Sequence, residues 1–543
     1  MKVKTSRTLT FLERCLPVSV AALVISCATL PPAKIIEPQE LARGTVIISA
    51  PGHYRLGGDA VAGGLAANSP AIQIVASGVT LDLGGHTLSM PPASSGANTG
   101  IEINGVSNVT VTNGSLRDIT GAGIFLLCDM DPAAGRCANF SFTRLDLRNV
   151  GKIGEYGDLG NIFNRPFSGG IVVFGRSTPV PVSGDAWENS ISGLIVSDVS
   201  VRNNAGLKHD FSGKPPAGGQ NGLTFASVSN LRVENTAVSG MTSNDAAACI
   251  FLGRTKSVVV RRMDCNGATG DRNANGLDSM ANVFKPLAIK KNYDVLVEDS
   301  TFTNIRATGA RGNEALGVEL NGEKFTFERL LITNIINDST TAQGNRAIGI
   351  QIVSNSESKE LSLVSNCTVR DVTHHGNGRD SRAGGVSIES APPIVVRGCT
   401  VSNVANHGTT TASIKAFGYR VDPGANKVSF EGNSSDNVTA PAVARATNPI
   451  PGYVAGFAFV GAQVEMSGNR SNRSQAGIFA RKLAADSSIR DNHFECNRVG
   501  IDDEGSGRPY ARNRLAGNTA AAAPAALLAG TDNSVTSAAC GAN

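Results

Sequence analysis

Two segments, ELSLVSNCTVRDV (residues 360–372) and PPIVVRGCTVSNV (residues 392–404), decide the fold because they repeat one frame in succession. Each has two alternating apolar positions, a polar or glycine corner and a second short alternation. The frame recurs at VSNVTVTNGSLRDI (106–119), VSNLRVENTAVSGM (228–241), NYDVLVEDSTFTNI (292–305) and DSSIRDNHFECNRV (486–499). Period-2 alternation is typical of half-buried strands, and Gly, Asn and Asp at the breaks predict turns. The chain is therefore predicted to repeat one unit of short strands.

Between these segments lies a second recurring piece, a glycine followed by apolar-x-apolar. It occurs as GIEI (100–103), GIFL (123–126), GIVV (170–173), GLTF (222–225), GVEL (317–320), GIQI (349–352), GVSI (385–388) and GIFA (477–480). A sandwich of antiparallel hairpins would instead need two-residue turns such as Asn-Gly between strands. One-residue corners favour a coil in which each strand pairs in parallel with its copy in the next unit, so that the inward apolar residues stack into one column.

These repeats resemble those of the right-handed parallel β-helix family, the pectate-lyase-like superfold, over nearly all of the chain. PGHYRL (51–56) followed by GVTLDLGGHTLSM (78–90) also resembles the opening coils of bacterial members. The resemblance implies an all-β chain with a single right-handed parallel β-helix of about fourteen to fifteen coils over residues 44–520. Residues 27–43 and 521–543 are the expected caps, because a solenoid needs covered ends.

Composition and charge narrow the functional classes. Gly accounts for 61 of 543 residues, charged residues for 17% and aromatic residues for 5%. This low charge content is atypical of a disordered or coiled-coil protein. The formal net charge of +4 lacks the strong basic excess of nucleic-acid-binding proteins, so no nucleic-acid partner is expected.

Residues 1–26 have the pattern of an export signal. Four basic residues precede an apolar stretch from Cys15 to Ile25, which is too short to span a bilayer. The segment ends in VISC (24–27), which resembles the lipobox of bacterial lipoproteins and implies lipidation of Cys27. We therefore expect a protein of the bacterial cell envelope that contacts the membrane only through a lipid anchor. An ordinary cleaved signal peptide, giving a periplasmic or secreted protein, is the alternative.

Eight cysteines remain after Cys15 and Cys27, and an even number in an exported protein suggests disulfides. Cys367 and Cys399 occupy the same frame position in neighbouring coils, within disulfide range, so they are the best predicted pair. Three further pairs are predicted mainly from proximity in sequence: Cys128 with Cys137, Cys249 with Cys265, and Cys496 with Cys540.

The middle residues of the Gly-apolar-x-apolar units are predicted to point outward and to form a polar groove floor from Phe251 to Lys415. Asp278 and Glu319 fall on adjacent coils, where their carboxylates are expected about 5 Å apart, as in retaining glycosidases. Repulsion between them would raise one pKa and place an acid beside a base. Two surface carboxylates that splay apart and catalyse nothing are the alternative.

DRNANGLD (271–278) resembles the first half of a calcium loop, with Asp271, Asn273, Asn275 and Asp278 as oxygen ligands. It departs from an EF-hand because its twelfth position is Asn282 rather than Glu. If Ca²⁺ bound here and neutralised a uronate carboxylate, a lysine could remove the adjacent proton, as in β-helix lyases. The alternative is an Asn-rich turn whose side chains cap the backbone.

Other candidate catalytic residues are Asp245, Lys285, Lys290 and Lys415. Polygalacturonases carry four motifs on successive coils, but the corresponding places here match only at Asp245 and Lys415, without the histidine, so that mechanism is not expected. The lysines are candidates for the base, although charged residues in such insertions are often only solvated. His374, His375 and His407 lie in equivalent loops and are further acid-base or metal candidates.

The sequence thus predicts an extracytoplasmic β-helix protein that acts on an acidic polysaccharide as a lyase, hydrolase or epimerase, with a groove between Asp245 and Lys415. The alternative is a non-catalytic surface lipoprotein that binds glycans or serves as a structural rod, since one fold hosts many functions.

Overall fold

The computed structural model describes residues 32–91, 97–129, 137–151, 167–176, 191–203, 219–243, 245–279, 292–309, 314–339, 345–353, 359–376, 381–408, 414–423, 425, 427–441, 452–505, 510–523, 532–537 and 540. These residues form strands and one short helix, α1 (Pro38–Arg43). The signal segment, Cys27, Lys285 and Lys290 lie outside them. No helix among the described residues is long and apolar enough to cross a membrane.

The strands, in chain order, are β1 (Lys34–Ile36), β2 (Val46–Ile48), β3 (Gly52–Leu56), β4 (Ala60–Val61), β5 (Ile72–Ile74), β6 (Val79–Asp82), β7 (Thr87–Ser89), β8 (Ile101–Asn104), β9 (Val109–Arg117), β10 (Ile124–Asp129), β11 (Cys137–Arg148), β12 (Phe167–Arg176), β13 (Ile191–Arg202), β14 (Gly219–Ala226), β15 (Val228–Ser243), β16 (Ala246–Gly253), β17 (Lys256–Gly270), β18 (Asn273–Ser279), β19 (Asn292–Glu298), β20 (Thr301–Ala307), β21 (Glu314–Leu320), β22 (Gly322–Glu328), β23 (Leu331–Asn337), β24 (Arg346–Val353), β25 (Ser362–Ser365), β26 (Thr368–His374), β27 (Arg382–Ser390), β28 (Ile394–Arg397), β29 (Thr400–Asn406), β30 (Lys415–Val421), β31 (Val428–Glu431), β32 (Ser434–Thr439), β33 (Tyr453–Val460), β34 (Val464–Ser467), β35 (Arg470–Ser474), β36 (Ala476–Arg481), β37 (Ser488–Arg490), β38 (His493–Glu495), β39 (Val499–Glu504), β40 (Tyr510–Ala511), β41 (Arg514–Ala516), β42 (Ala520–Ala523) and β43 (Ser534–Thr536).

The strands pair in parallel with the equivalent strands of neighbouring coils, which confirms the predicted parallel β-helix. One sheet has sixteen strands in the order β2-β5-β8-β10-β12-β14-β16-β18-β21-β24-β27-β30-β33-β36-β39-β42. Each coil supplies one of them, so the described residues contain sixteen coils rather than the expected fourteen to fifteen. The remaining strands form a 27-stranded sheet of two ladders, which share long strands such as β17, a partner of both β19 and β20.

Both ends of this arrangement extend beyond the repeats found in the sequence. In the segment expected as a cap, β1 already pairs with β3, and Leu41 of α1 is buried. At the other end β43 pairs with β41, so parallel pairing continues past residue 520.

The predicted one-residue corners are residues in the left-handed backbone region. Asn366 (φ 54°) and Gly398 (φ 62°) take this conformation between the two ladders of the 27-stranded sheet. Within β20, β23, β29 and β32 it is taken by Asn304 (φ 58°), Asn334 (φ 58°), Asn403 (φ 53°) and Asn437 (φ 55°). Asparagine tolerates it better than most side chains. Their amides also stack from coil to coil, since Asn437 Nδ2 donates to Asn403 Oδ1 at 2.9 Å. The Asn-rich breaks therefore both turn the chain and link successive coils.

The core is one continuous column of Val, Ile, Leu and Phe side chains between the sheets. The recurrent glycine of the sixteen-stranded sheet faces this column. A Cβ on Gly317 would lie 2.4 Å from Ile332 Cγ2, so glycine is required for the sheets to approach each other. Cys249 occupies this glycine position in its own coil, and its partner Cys265 aligns with Val238 of the preceding coil. A disulfide thus replaces the usual glycine–aliphatic contact there.

Three predicted disulfides are confirmed and one is wrong. Cys128–Cys137, Cys249–Cys265 and Cys496–Cys540 are bonded, with Cα–Cα distances of 6.1, 5.8 and 5.6 Å. Cys367 and Cys399 are buried free thiols.

The frame position of the two free thiols was predicted correctly, since the residues on either side of Cys367 and Cys399 are register partners. Residues in the same position of parallel strands have parallel rather than converging Cα–Cβ bonds, which disfavours a disulfide. The Cys367 amide instead donates to Cys399 Sγ at 3.4 Å, and the Cys399 amide donates to Asn433 Oδ1 at 2.9 Å. The thiols continue a buried asparagine ladder through Asn433, Asn469, Asn492 and Asn513.

Candidate functional site

The outward side chains of β18, β21, β24, β27 and β30 are mostly polar. In β21, Ala315, Val318 and Leu320 join the core, so Glu314 and Glu319 lie on the opposite, outward side. The residues that pair in register with these positions on β18, β24, β27 and β30 lie on the same outward side of the sheet. The resulting set, here called the polar face, comprises Asn273, Asn275, Asp278, Glu314, Glu319, Arg346, Gln351, Arg382, Ser387, Lys415 and Arg420.

Apolar outward clusters adjoin the polar face, and the later one reaches into it through Leu316, Ile348 and Phe417 on β21, β24 and β30. On earlier coils, Phe125, Phe174 and Phe251 are buried in one cluster. On later coils, Tyr453 and Phe479 stack with ring centroids 5.0 Å apart in another. Charges between apolar surroundings interact more strongly than they would in water, because the local dielectric constant is lower.

Asp278 and Glu319 lie on neighbouring strands, one residue beyond the register pair Leu277 and Val318. Both are partly buried. Burial, reinforced by the negative charges of Glu314 and Asp278, raises the pKa of the Glu319 carboxyl well above its usual range, although Arg346 opposes this. A carboxyl group with a raised pKa therefore lies beside a second carboxyl group on the next coil.

An arginine cluster lies further along the polar face. Glu389 is the extra residue of a β-bulge, because Ile352 pairs with Ile388 while Val353 pairs with Ser390. A bulge re-aims the side chain of its extra residue. Glu389 Oε1 accepts from Arg346 Nη1 at 3.1 Å and from Arg382 Nη1 at 2.9 Å, and lies 3.8 Å from Arg420 Nη1.

Arg420 is the most buried member of this cluster, with a side chain 5% exposed. It pairs with Asp422 and stacks over the Phe417 ring at 5.5 Å from the centroid. Burial raises the pKa of the Asp422 carboxyl, and Arg420 opposes that rise. Burial raises the pKa of Tyr453 to about 12, again opposed by Arg420, so the phenol stays neutral.

The structure separates the other predicted catalytic residues from the carboxyl pair. Lys415 lies on β30, three strand spacings or about 14 Å from Glu319 along the sheet. Lys415 therefore does not lie on a strand next to Asp278 or Glu319, and its role as the base stays a prediction. Asp245 precedes β16, is buried and forms an ion pair with Arg272, whose Nε lies 3.0 Å from Asp245 Oδ1.

The predicted calcium-loop geometry is not formed, because Asn273, Asn275 and Asp278 belong to the extended strand β18. Asp271 precedes the strand and accepts a hydrogen bond from Thr308 Oγ1 at 3.1 Å. The described ranges contain no cluster of three or more His, Cys, Asp or Glu side chains that could hold a metal ion. The chain here extends rather than curling around a central point, so calcium binding by these four residues stays a prediction that loop geometry does not support.

The three histidines have two different environments. His374 is fully buried and aligns with Asn337 and Asn406 on neighbouring coils. Burial lowers the pKa of His374 to about 4. His375 and His407 instead stack near the surface, with ring centroids 5.0 Å apart.

Arg346, Glu389 and Arg420 were not predicted from the sequence as members of the site. The predicted outward position lies two residues after the glycine of each unit, and Arg420 had no predicted role. The outward position three residues before the glycine would have identified Arg346 and Arg382. The bulge that presents Glu389 has no signal in the repeat pattern.

No protein-family model and no curated protein matches the chain. Among solved structures, the A-module of the mannuronan C-5 epimerase AlgE6 from Azotobacter vinelandii is 14% identical, with a TM-score of 0.39, covering 82% of this chain and 97% of its own. The surface adhesin PfbA of Streptococcus pneumoniae is 10% identical, with a TM-score of 0.29, covering 76% and 85%. The tailspike of E. coli bacteriophage HK620 is 13% identical, with a TM-score of 0.30, covering 91% and 71%. Similarity at this level carries no information about activity.

Proposed function

We propose that this protein is a polysaccharide-active enzyme that hydrolyses an acidic glycan at Asp278 and Glu319. The observation that carries the proposal is the pair of carboxyl groups on neighbouring coils, of which Glu319 has a raised pKa. Glycoside hydrolysis needs such a pair, a carboxylic acid to protonate the leaving oxygen and a carboxylate on the other side of the bond.

In this proposal Glu319 is the proton donor, because burial and the neighbouring negative charges raise its pKa and favour the protonated form. Asp278 is the ionised partner. The strand spacing of about 4.8 Å is close to the carboxyl separation of about 5–5.5 Å in retaining glycosidases, so Asp278 is assigned as the nucleophile. The arginines along the polar face would bind the carboxylates of the glycan.

Elimination and epimerisation both need a base that removes a proton from the sugar ring. Lys415 does not lie on a strand next to the carboxyl pair, and its role as that base stays a prediction. Lys285 and Lys290, which lie outside the described residues, stay predictions. Asp278 is also able to act as a base, so hydrolysis is proposed for the spacing of the two carboxyl groups, and the products distinguish the three reactions.

The test is incubation of the mature protein with a panel of uronans, followed by assays for new reducing ends and for the absorbance of unsaturated products. We expect reducing ends without unsaturated products. Asp278→Asn and Glu319→Gln should each lower turnover by about 10²–10⁴-fold, whereas Glu323→Gln, on β22 of the 27-stranded sheet, should retain it. The wild-type activity should also fall as pH rises through the pKa of Glu319.

Detection of unsaturated products would show that the enzyme cleaves the glycan by elimination and would contradict hydrolysis. Glycan binding without turnover, unchanged in Asp278→Asn and Glu319→Gln, would instead support the non-catalytic surface protein.

Calcium binding, export and a lipid anchor on Cys27 complete the proposal as predictions. Turnover that is insensitive to a chelator would remove the calcium role of Asp271, Asn273, Asn275 and Asp278. A diacylglycerol mass on the N-terminal cysteine of the purified protein would support the envelope location, and an unmodified N-terminus would contradict it.

A further inference from the structure

A second group of polar side chains lies on β27, β30 and β33, beyond the proposed catalytic pair. Ser387 and Arg420 are register partners, as are Arg382 and Lys415. Tyr453 follows Lys415 on the next strand. Ser387 lies two strand spacings from Glu319, about 10 Å along the sheet.

Several donors in this group are buried without an acceptor. Ser387 is completely buried, and its hydroxyl finds no hydrogen-bond partner within the described part of the chain. The same holds for Nε of Arg382 and for Nε and Nη1 of Arg420. Buried polar groups are nearly always hydrogen-bonded, so a convergence of unsatisfied donors indicates a missing acceptor.

The charges of the group favour an anion as that acceptor. Four cations, Arg346, Arg382, Lys415 and Arg420, lie among the carboxylates of Glu314, Glu389 and Asp422 and the Glu319 carboxyl, whose pKa is raised. Against burial, acidic partners raise the pKa of Arg346 and of Arg420. Burial, and then repulsion from Arg420, lower the pKa of the Arg382 guanidinium, so the charge of Arg382 is the least compensated of the three arginines. Arg382 and Glu389 are 21% and 22% exposed, so solvent reaches the edge of the group, and Ser387 and Arg420 lie beneath it.

We propose that Arg382, Ser387 and Arg420, with Tyr453 beside them, form an anion-binding subsite that takes one carboxylate of a uronic-acid glycan. Guanidinium and hydroxyl donors are the groups that bind a carboxylate in a low-dielectric site. The inference rests on the proposed function, because the acidic glycan of that proposal supplies the carboxylate that binds here. It deepens that function, because the subsite would hold a sugar unit next to the one at Asp278 and Glu319.

The test measures binding in an Asp278→Asn background, which prevents turnover. The probes are a galacturonic acid tetrasaccharide, its carboxyl-reduced neutral counterpart, and sodium sulfate at matched ionic strength. Ser387→Ala removes the unsatisfied hydroxyl without breaking a hydrogen bond in the described structure, so the fold is expected to be retained. Ser435→Ala is the matched control, since the Ser435 hydroxyl is also buried and unsatisfied within that same described structure but faces Gly418 in the interior.

We expect Ser387→Ala to weaken tetrasaccharide binding about tenfold, while Ser435→Ala leaves it unchanged. The neutral counterpart should bind both variants equally and weakly, and sulfate should compete with the tetrasaccharide. Arg382→Gln should weaken binding further, whereas the exposed Arg397→Gln should not.

Equal tetrasaccharide affinity in the two serine variants would overturn the subsite, even if turnover at Asp278 and Glu319 is found. Loss of binding in Ser387→Ala, in a protein whose turnover is absent or independent of Asp278 and Glu319, would keep the subsite and reject the proposed catalysis. Sulfate binding without tetrasaccharide binding would assign the site to a free inorganic anion and overturn the proposal, as would binding of neither.

Discussion

Replacement of His374 by asparagine should remove a defined part of the acid sensitivity of this protein. His374 occupies a position at which the coils on both sides carry asparagine. The Gly376 amide donates to His374 Nδ1 at 3.2 Å, just as the Gly408 amide donates to Asn406 Oδ1 at 3.0 Å. An asparagine at position 374 is therefore able to accept the same hydrogen bond without a titratable group.

The size of this loss of stability follows from the difference between the pKa of the imidazole in the folded and in the unfolded chain. Burial lowers the pKa of His374 from 6.5 to about 4 in the folded protein. Below pH 6.5 the unfolded chain takes up a proton that the folded chain excludes, so stability is lost as pH falls from about 6.5 to 4. The loss amounts to about 2 kcal/mol at pH 5 and approaches about 3.4 kcal/mol at lower pH.

The assay is equilibrium urea unfolding of the wild type and His374→Asn at pH 7.5 and pH 5.0. The stability of the variant relative to the wild type should rise by about 2 kcal/mol between the two conditions. His53→Asn, on β3, is the control and should keep the wild-type loss on acidification. An equal difference between His374→Asn and the wild type at both pH values would refute the argument that burial excludes the proton.

Three further predictions concern the cysteines. The double variant Cys249→Gly, Cys265→Val reproduces the contact of neighbouring coils, so it should fold with an unchanged circular dichroism spectrum but lose about 3 kcal/mol in urea unfolding; failure to fold would contradict the equivalence of the coils. Cys399→Asn should extend the buried ladder by giving the Cys367 amide an oxygen acceptor, since sulfur accepts hydrogen bonds weakly, and should raise the free energy of unfolding by about 1 kcal/mol; a loss of stability would refute this. A thiol-reactive dye followed by peptide mass mapping should label Cys367 and Cys399 only after unfolding, and labelling of the native protein would contradict their burial.

The sequence predicted those features that depend on repetition. Alternating apolar residues indicated strands, and identical frames indicated that these strands pair in parallel. The shared position of Cys367 and Cys399 was correct for the same reason. Their disulfide was wrong, because the frame specifies which residues are neighbours but not whether their side chains converge. Three other disulfides, predicted mainly from proximity in sequence, were correct.

The candidate site was predicted only in part. The neighbouring positions of Asp278 and Glu319 followed from counting coils. The distance of Lys415 from them also follows from strand order, but the sequence analysis treated the whole face as one cleft. The bulge at Glu389 was not predictable, since one additional residue in a strand leaves the apolar alternation nearly unchanged.

By itself the sequence determined the parallel coil, its glycine and asparagine corners and the chain positions that become neighbours. A residue that is repeated in each coil stacks on its copy in the next coil, and this stacking does not depend on the length or conformation of the loops between them. Only the tertiary structure decided which polar groups share a face, how deeply they are buried and which remain unsatisfied. Those properties depend on the combined burial and charge of several coils. The raised pKa of Glu319 and the clustering of Arg346, Arg382 and Arg420 around Glu389 therefore emerge only when the coils are stacked.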